Sequence, residues 1–148
     1  DSFEVACALW AIENNMPIIG VCRGAQLMCA LSGGTVIQHV NNHCMYGQHL
    51  MMTKDGRRIP TNSIHHQMMN PFKIQHELLA WSKTKLSTIY VGNAGDDLKE
   101  AYHPDFKEPE IVWFPTTKSL CIQGHPEIST ATKPFIDYIL QLTNKYIL

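Results

Sequence analysis

No apolar run in this sequence approaches the roughly 20 residues that a helix needs to cross a bilayer, and no basic-then-apolar leader opens it. Membrane insertion and secretion are therefore not expected. Charge bias is equally scarce. Twelve Lys and Arg face 13 Asp and Glu, for a net charge of −1, without the basic excess of a dedicated nucleic-acid binder. The phosphate-binding pattern G-x-x-x-x-G-K-[ST] is missing, so any ATP-driven synthetase chemistry is expected to sit elsewhere. Cysteine is present, but not as a framework. The five, Cys7, Cys22, Cys29, Cys44 and Cys121, are odd in number and include no C-x-x-C pair. A disulfide scaffold would be denser and even-numbered. Reduced thiols in a cytoplasmic protein are expected instead, one of them available as a nucleophile.

What is present is enough for a packed core. Hydrophobic residues make up 45% and charged residues 17% of the 148, which suits one globular domain. Residues 2–16 place Val5, Ala8, Leu9, Ile12 and Met16 at helical spacing, with Phe3, Ala6 and Trp10 widening the face. The apolar run PIIGVC predicts a buried strand, RGAQLMCALSGG a helix closed by Gly33 and Gly34, and TVIQHV another strand. From 41 to 80 the pattern loosens, with Asp55-Gly56 as a turn between two strand-like pieces. Residues 87–92, 110–114 and 119–124 read as three more strands, and 132–147 as a closing helix with Pro134 in its first turn. Helices alternating with strands predict α/β layering, with a mainly parallel sheet and PIIGVC at its centre.

The most informative stretch is Gly20-Val21-Cys22-Arg23-Gly24-Ala25-Gln26. Strand, G-x-C-x-G and helix in that order form the cysteine counterpart of a nucleophile elbow. Such a turn crowds its central residue, and glycines two before and two after relieve the crowding because they lack a Cβ. The following helix aims backbone N–H groups at the sulfur, which favours the thiolate, and the Arg23 N–H is placed to stabilise an oxyanion. Alone, the pattern fits a core cysteine packed between strand and helix equally well. The second piece is Gly124-His125-Pro126-Glu127 at the end of an apolar strand. Residues two apart in extended chain share a side, so Glu127 can orient one nitrogen of His125 and leave the other as base. Alone, H-P-E is a strand-end turn. Together, the two pieces place a nucleophile and its base at the carboxyl ends of strands, where α/β active sites gather.

GVCRGAQ followed by a distant GHPE resembles the class I glutamine amidotransferase superfamily. Arg23 after the cysteine and the Ser63-to-Gln67 segment SIHHQ resemble its γ-glutamyl-γ-aminobutyrate hydrolase-like branch. The resemblance implies a doubly wound α/β fold and a Cys-His-Glu triad that cleaves γ-glutamyl amides without a cofactor. Cys22 would be nucleophile, His125 base and acid, and Glu127 orienter. It also implies Gln26 in the glutamine pocket and His65 and Gln67 at the substrate's amino-acid end. With glutamine as substrate, ammonia would pass to a synthetase partner. Relatives carry earlier strand-helix units and a Gly-rich loop giving a second oxyanion donor, which nothing here matches. The sequence is therefore expected to be the later part of a longer domain lacking its first strands, or else a domain that never had them. A non-catalytic binding or assembly subunit is the alternative.

Other signals are weaker. His39, His43, Cys44 and His49 cluster in the sequence, but their spacing matches no zinc signature and a His-rich polar loop is the simpler reading; no metal is expected. His76-Glu77 begins an H-E-x-x-H that fails at Ala80. Met51, Met52, Met68 and Met69 suit core or pocket filling. Lys54, Arg57 and Arg58 make a solvated turn too small to hold a nucleic acid.

Overall fold

The apolar PIIGVC run forms strand β1 (Ile18–Val21), and the chain turns at Cys22 into helix α2 (Arg23–Leu31). A computed structural model describes residues 1–44 and 47–148, so two residues of the loosened 41–80 stretch lie outside the described part. Helix α1 (Ser2–Glu13) precedes β1. After α2 come β2 (Thr35–Ile37), β3 (His39–Val40), β4 (Gly47–Thr53), β5 (Arg58–Ser63), β6 (Met68–Asn70), β7 (Glu77–Ser82) and β8 (Tyr90–Val91). Strands β9 (Pro109–Phe114) and β10 (Ser119–Ile122) and helix α3 (Lys133–Tyr146) complete the chain. The α/β class is as expected. TVIQHV divides at Gln38 into two short strands, and of residues 87–92 only Tyr90 and Val91 are strand.

Six strands make the main sheet in the order β1-β10-β9-β7-β4-β5. Among the described residues, parallel pairing is confined to β1 with β10, where Val21 faces Ile122; β10-β9, β9-β7, β7-β4 and β4-β5 are antiparallel. The sheet is thus mixed, and β1 lies at its edge, not at its centre. Short returns explain the antiparallel part. A tight turn after Phe114 joins β9 to β10, and the Asp55-Gly56 turn joins β4 to β5 as its residues predict. A parallel neighbour needs a crossover, and β1 reaches β10 only through most of the chain.

Alternation along the strands divides the core between two faces. Ile111, Leu120 and Ile122 pack with Phe135, Tyr138, Ile139 and Leu142 of α3. Val112, Phe114 and Cys121 pack with Ala25, Met28 and Cys29 of α2. Thr132 caps α3 by accepting a hydrogen bond from the Phe135 N–H. Helix α1 is different: Ala8 is its one buried residue, and Phe3 and Trp10 stand 78% and 58% exposed. Ile19 on the neighbouring edge strand is 43% exposed. The apolar face expected for α1 exists, but little of this chain covers it. No helix among the described residues is long and apolar enough to cross a membrane.

Candidate functional site

Cys22 has φ 49° and ψ −105°, a left-handed conformation in which a side chain is strained. The surroundings hold it there. Its N–H donates to the Ile122 carbonyl at 2.7 Å, and its own carbonyl accepts from the Gln26 N–H at 3.1 Å as α2 begins. A Cβ at Gly20 would lie 2.7 Å from the Gly24 carbonyl oxygen, so the elbow closes only over glycine there. Gly24 has open space around the corresponding position. Steric need therefore explains the first glycine of the pattern and not the second.

His125 follows β10 just as Cys22 follows β1, so both stand at the carboxyl ends of neighbouring parallel strands. Its Nδ1 lies 2.7 Å from Glu127 Oε1, which leaves Nε2 as the nitrogen free for proton transfer. The backbone here is pinned from β5. Asn62 Oδ1 accepts the His125 N–H at 2.7 Å, and Asn62 Nδ2 donates to the His125 carbonyl at 2.8 Å. Nothing in the sequence singled out Asn62. A Cβ at Gly124 would come within 2.7 Å of Thr61 Oγ1, so this loop also needs glycine to lie so close to β5. Gln123 Nε2 approaches the Cys22 sulfur at 4.0 Å, and among the described residues no hydrogen bond joins that sulfur to His125.

Burial pushes the Cys22 thiol above its ordinary value. Hydrogen bonding from the Arg23 N–H opposes this and the nearby Glu127 charge adds to it. The expectation that α2 would favour the thiolate is met in sign by the Arg23 N–H, but desolvation outweighs it. Burial also opposes ionisation of Glu127. The His125 hydrogen bond, a backbone N–H and the His125 charge more than reverse that, and its carboxyl lies below the ordinary value.

The remaining candidates group around α2. Gln26 is buried, and its Nε2 donates to the Gln67 carbonyl at 3.1 Å. His65 Nδ1 donates to the same carbonyl at 2.8 Å. The Gln67 side chain reaches Gln38 Oε1 at 3.1 Å. His65 itself is 3% exposed and its ring faces inward. Arg23 turns its side chain away toward α1, pairing with Asp1 and with Glu4 at 3.1 Å.

That inward face opens on a buried polar cluster. His43 Nε2 lies 3.0 Å from Glu108 Oε2, and His49 Nε2 lies 2.6 Å from Glu110 Oε1. Of the four residues grouped by sequence proximity, His43 and His49 meet here, while His39 and Cys44 are exposed elsewhere. The carboxylates and His65 come from distant segments, which no local spacing could reveal. Burial drives the His65 imidazole down to about 4, so it is neutral near physiological pH.

The Peptidase C26 family model matches residues 1–93. A glutamine amidotransferase-like protein of Lactococcus lactis subsp. lactis, YvdE, is 30% identical over 154 residues, covering 96% of this chain and 59% of that protein. A shorter match, 35% identical over 54 residues, links 36% of the chain to 19% of a glutamine amidotransferase-like protein of Rickettsia prowazekii. Among solved structures, a glutamine amidotransferase of Thermotoga maritima aligns with TM-score 0.59 and 11% identity. The alignment covers 97% of this chain and 54% of that one. A glutamine amidotransferase of Methylobacillus flagellatus aligns with TM-score 0.56 and 14% identity, over 95% and 49%. These structures share the fold. The chain spans less than two thirds of the length of these relatives.

Proposed function

Because the chain belongs to the peptidase C26 family of the class I glutamine amidotransferase superfamily, we propose that its protein hydrolyses a γ-glutamyl amide through a thioester on Cys22. The observation that supports this most is the strained Cys22 at φ 49° on its elbow, at the same sheet end as a His125–Glu127 pair 2.7 Å apart. A cysteine in a left-handed conformation between strand and helix has no structural need to be there. In this reading the thiol proton passes to His125 Nε2 as the sulfur attacks the side-chain carbonyl carbon. Glu127 steadies the imidazolium, and the Arg23 N–H receives the developing oxyanion. His125 then protonates the departing amine. A water deprotonated by the same nitrogen cleaves the thioester and releases glutamate. The raised Cys22 thiol fits a nucleophile activated by its base at the moment of attack.

Gln26 and Gln67 line the pocket for the amino-acid end of the substrate, with His65 behind them holding the Gln67 carbonyl. Arg23 and SIHHQ favour the γ-glutamyl-γ-aminobutyrate hydrolase-like branch, so the leaving group is an alkyl amine or, with glutamine, ammonia for a synthetase partner.

The test is glutamate release by the full-length protein from glutamine and from γ-glutamyl amine conjugates, with mass spectrometry of a glutamyl adduct on Cys22. Cys22→Ala should abolish both. Glutamate released at the wild-type rate by Cys22→Ala would overturn the reading. A second reading, a non-catalytic assembly subunit, is favoured by the uncovered apolar surface of Phe3, Trp10 and Ile19. It predicts no adduct and no glutamate release from any γ-glutamyl amide.

A further inference from the structure

Among the described residues, the buried side-chain nitrogen and oxygen atoms without a hydrogen-bond partner are His43 Nδ1, His65 Nε2, Glu110 Oε2 and Gln123 Oε1. Native interiors rarely leave such atoms unmatched. Three of these four belong to one cluster, with ligand atoms of His43, His65 and Glu110 all within 4.8 Å of one another. We propose that His43, His65 and Glu110 bind a divalent first-row transition-metal ion, of the kind represented by Zn2+.

Each orphan atom belongs to a group whose other side has a hydrogen-bond partner. The Gln67 carbonyl can only accept, so His65 carries its proton on Nδ1 and leaves Nε2 bare. Glu108 receives the Leu86 and Ser87 N–H groups, both at 2.8 Å, and the Tyr90 hydroxyl at 2.7 Å. It is therefore an ionised acceptor to which His43 offers an Nε2 proton, while His43 Nδ1 has no hydrogen-bond partner and lies 3.9 Å from Glu110 Oε1. Glu110 uses Oε1 for His49 and keeps Oε2 unpaired. Three buried polar atoms thus lie close together without hydrogen-bond partners, an arrangement that a cation at their centre would satisfy. The His43 and His65 rings lie side by side with centroids 4.6 Å apart.

The outer contacts are those that metal-bound histidines make. One imidazole is backed by a carboxylate and the other by a backbone carbonyl, which fix tautomer and ring orientation. Two imidazoles and one carboxylate form a donor set suited to zinc or ferrous iron, with coordination left open for water. Binding would draw the three atoms inward, to about 3–3.5 Å apart for bonds of about 2.1 Å. The ion's two positive charges would also balance the buried carboxylates of Glu108 and Glu110. His49, 10% exposed in its side chain, is the more exposed partner of the Glu110 carboxylate. The ligands come from three separate parts of the chain, and through the Gln67 carbonyl His65 also backs the proposed substrate pocket.

The test is direct metal binding by the full-length protein, purified without an affinity tag and stripped with chelator. Titration with Zn2+ should show one equivalent bound and a rise in melting temperature, and Co2+ should develop visible d–d absorption. His65→Ala should weaken Zn2+ at least about a hundredfold, and Glu108→Gln about ten- to a hundredfold through lost orientation of His43. His66→Ala, at an exposed neighbour, should bind as wild type. If the substituted proteins fail to fold, the stripped wild type still decides. Absence of stoichiometric Zn2+ and of a Co2+ spectrum would overturn the site, as would equal Zn2+ affinity in His65→Ala and His66→Ala.

Discussion

Asn62 holds the backbone of His125 from both sides, accepting its N–H at 2.7 Å and donating to its carbonyl at 2.8 Å. The imidazole is therefore placed by β5 as much as by its own strand. Asn62 is 1% exposed, so removing its amide strands two backbone groups in the interior. Asn62→Ala should cost about 1–3 kcal/mol of stability by denaturant titration. Glutamate release should fall mainly in kcat, by about ten- to a hundredfold, because a misplaced base lowers the rate more than it weakens binding. A kcat equal to wild type in the folded variant would show that His125 is positioned without this clamp.

Gly20 and Gly24 occupy matching places in the elbow but should respond to alanine with opposite signs. At Gly20 the new methyl meets the Gly24 carbonyl oxygen at 2.7 Å and the Ala25 nitrogen at 2.9 Å, all backbone that cannot swing aside. Gly20→Ala should destabilise by about 1–3 kcal/mol. At Gly24 the methyl enters open space within α2, where alanine is the better helix former. Gly24→Ala should be neutral or stabilising by up to about 1 kcal/mol. Thermal melts of the two variants decide, and equal destabilisation would refute the asymmetry.

Local chemistry was legible in the sequence, and long-range pairing was not. The G-x-C-x-G elbow carries its geometry within a few residues and takes the expected shape, whereas Gly-His-Pro-Glu joins His125 to Glu127 in a turn beyond β10, not in extended chain. The closing helix and the Asp55-Gly56 turn also take the expected shapes. Strand β7 went unread because ELLAWS is rich in helix-favouring Glu, Leu and Ala, and only its pairing with β4 and β9 makes it a strand. The edge position of β1 escaped for a related reason. An apolar run reports that a strand wants burial, not which neighbours this chain supplies. Asn62, Glu108 and Glu110 were invisible as site residues because their partners lie some 60 residues away, as the His125 and His43 bonds show.

Asp55 provides a pH test away from the site. The Arg57 guanidinium and the Thr53 hydroxyl hold its carboxyl from an ordinary 3.8 down to about 2. A depressed folded-state value stabilises the fold above the unfolded value, and that contribution disappears as pH falls through the folded one. The β4-β5 turn should therefore lose stability between about pH 4 and pH 2. The effect is small, because the Asp55 side chain is 55% exposed and solvent screens the pair. Melting temperatures of Asp55→Asn should fall less steeply than wild type over that window. Parallel curves would show that the ion pair contributes nothing.

Glu127 should act on the Cys22 thiol and on catalysis in opposite directions. Its negative charge is one of the influences that raise the thiol, behind burial itself. Replacing it with glutamine removes the charge but keeps an oxygen able to accept from His125 Nδ1. The resting thiol then ionises more readily, and alkylation of Cys22 by a small neutral electrophile at neutral pH should speed up by about two- to fivefold. Hydrolysis should move the other way. The imidazolium formed during attack loses its compensating carboxylate, and turnover should fall by about a hundred- to ten-thousandfold, as in triads whose acid is neutralised. Mapping the alkylated cysteine by mass spectrometry alongside glutamate release separates the two effects. If Glu127→Gln raises both together, Glu127 merely restrains the nucleophile and the triad assignment is wrong. A fall in both would show that the carboxylate holds Cys22 itself in place.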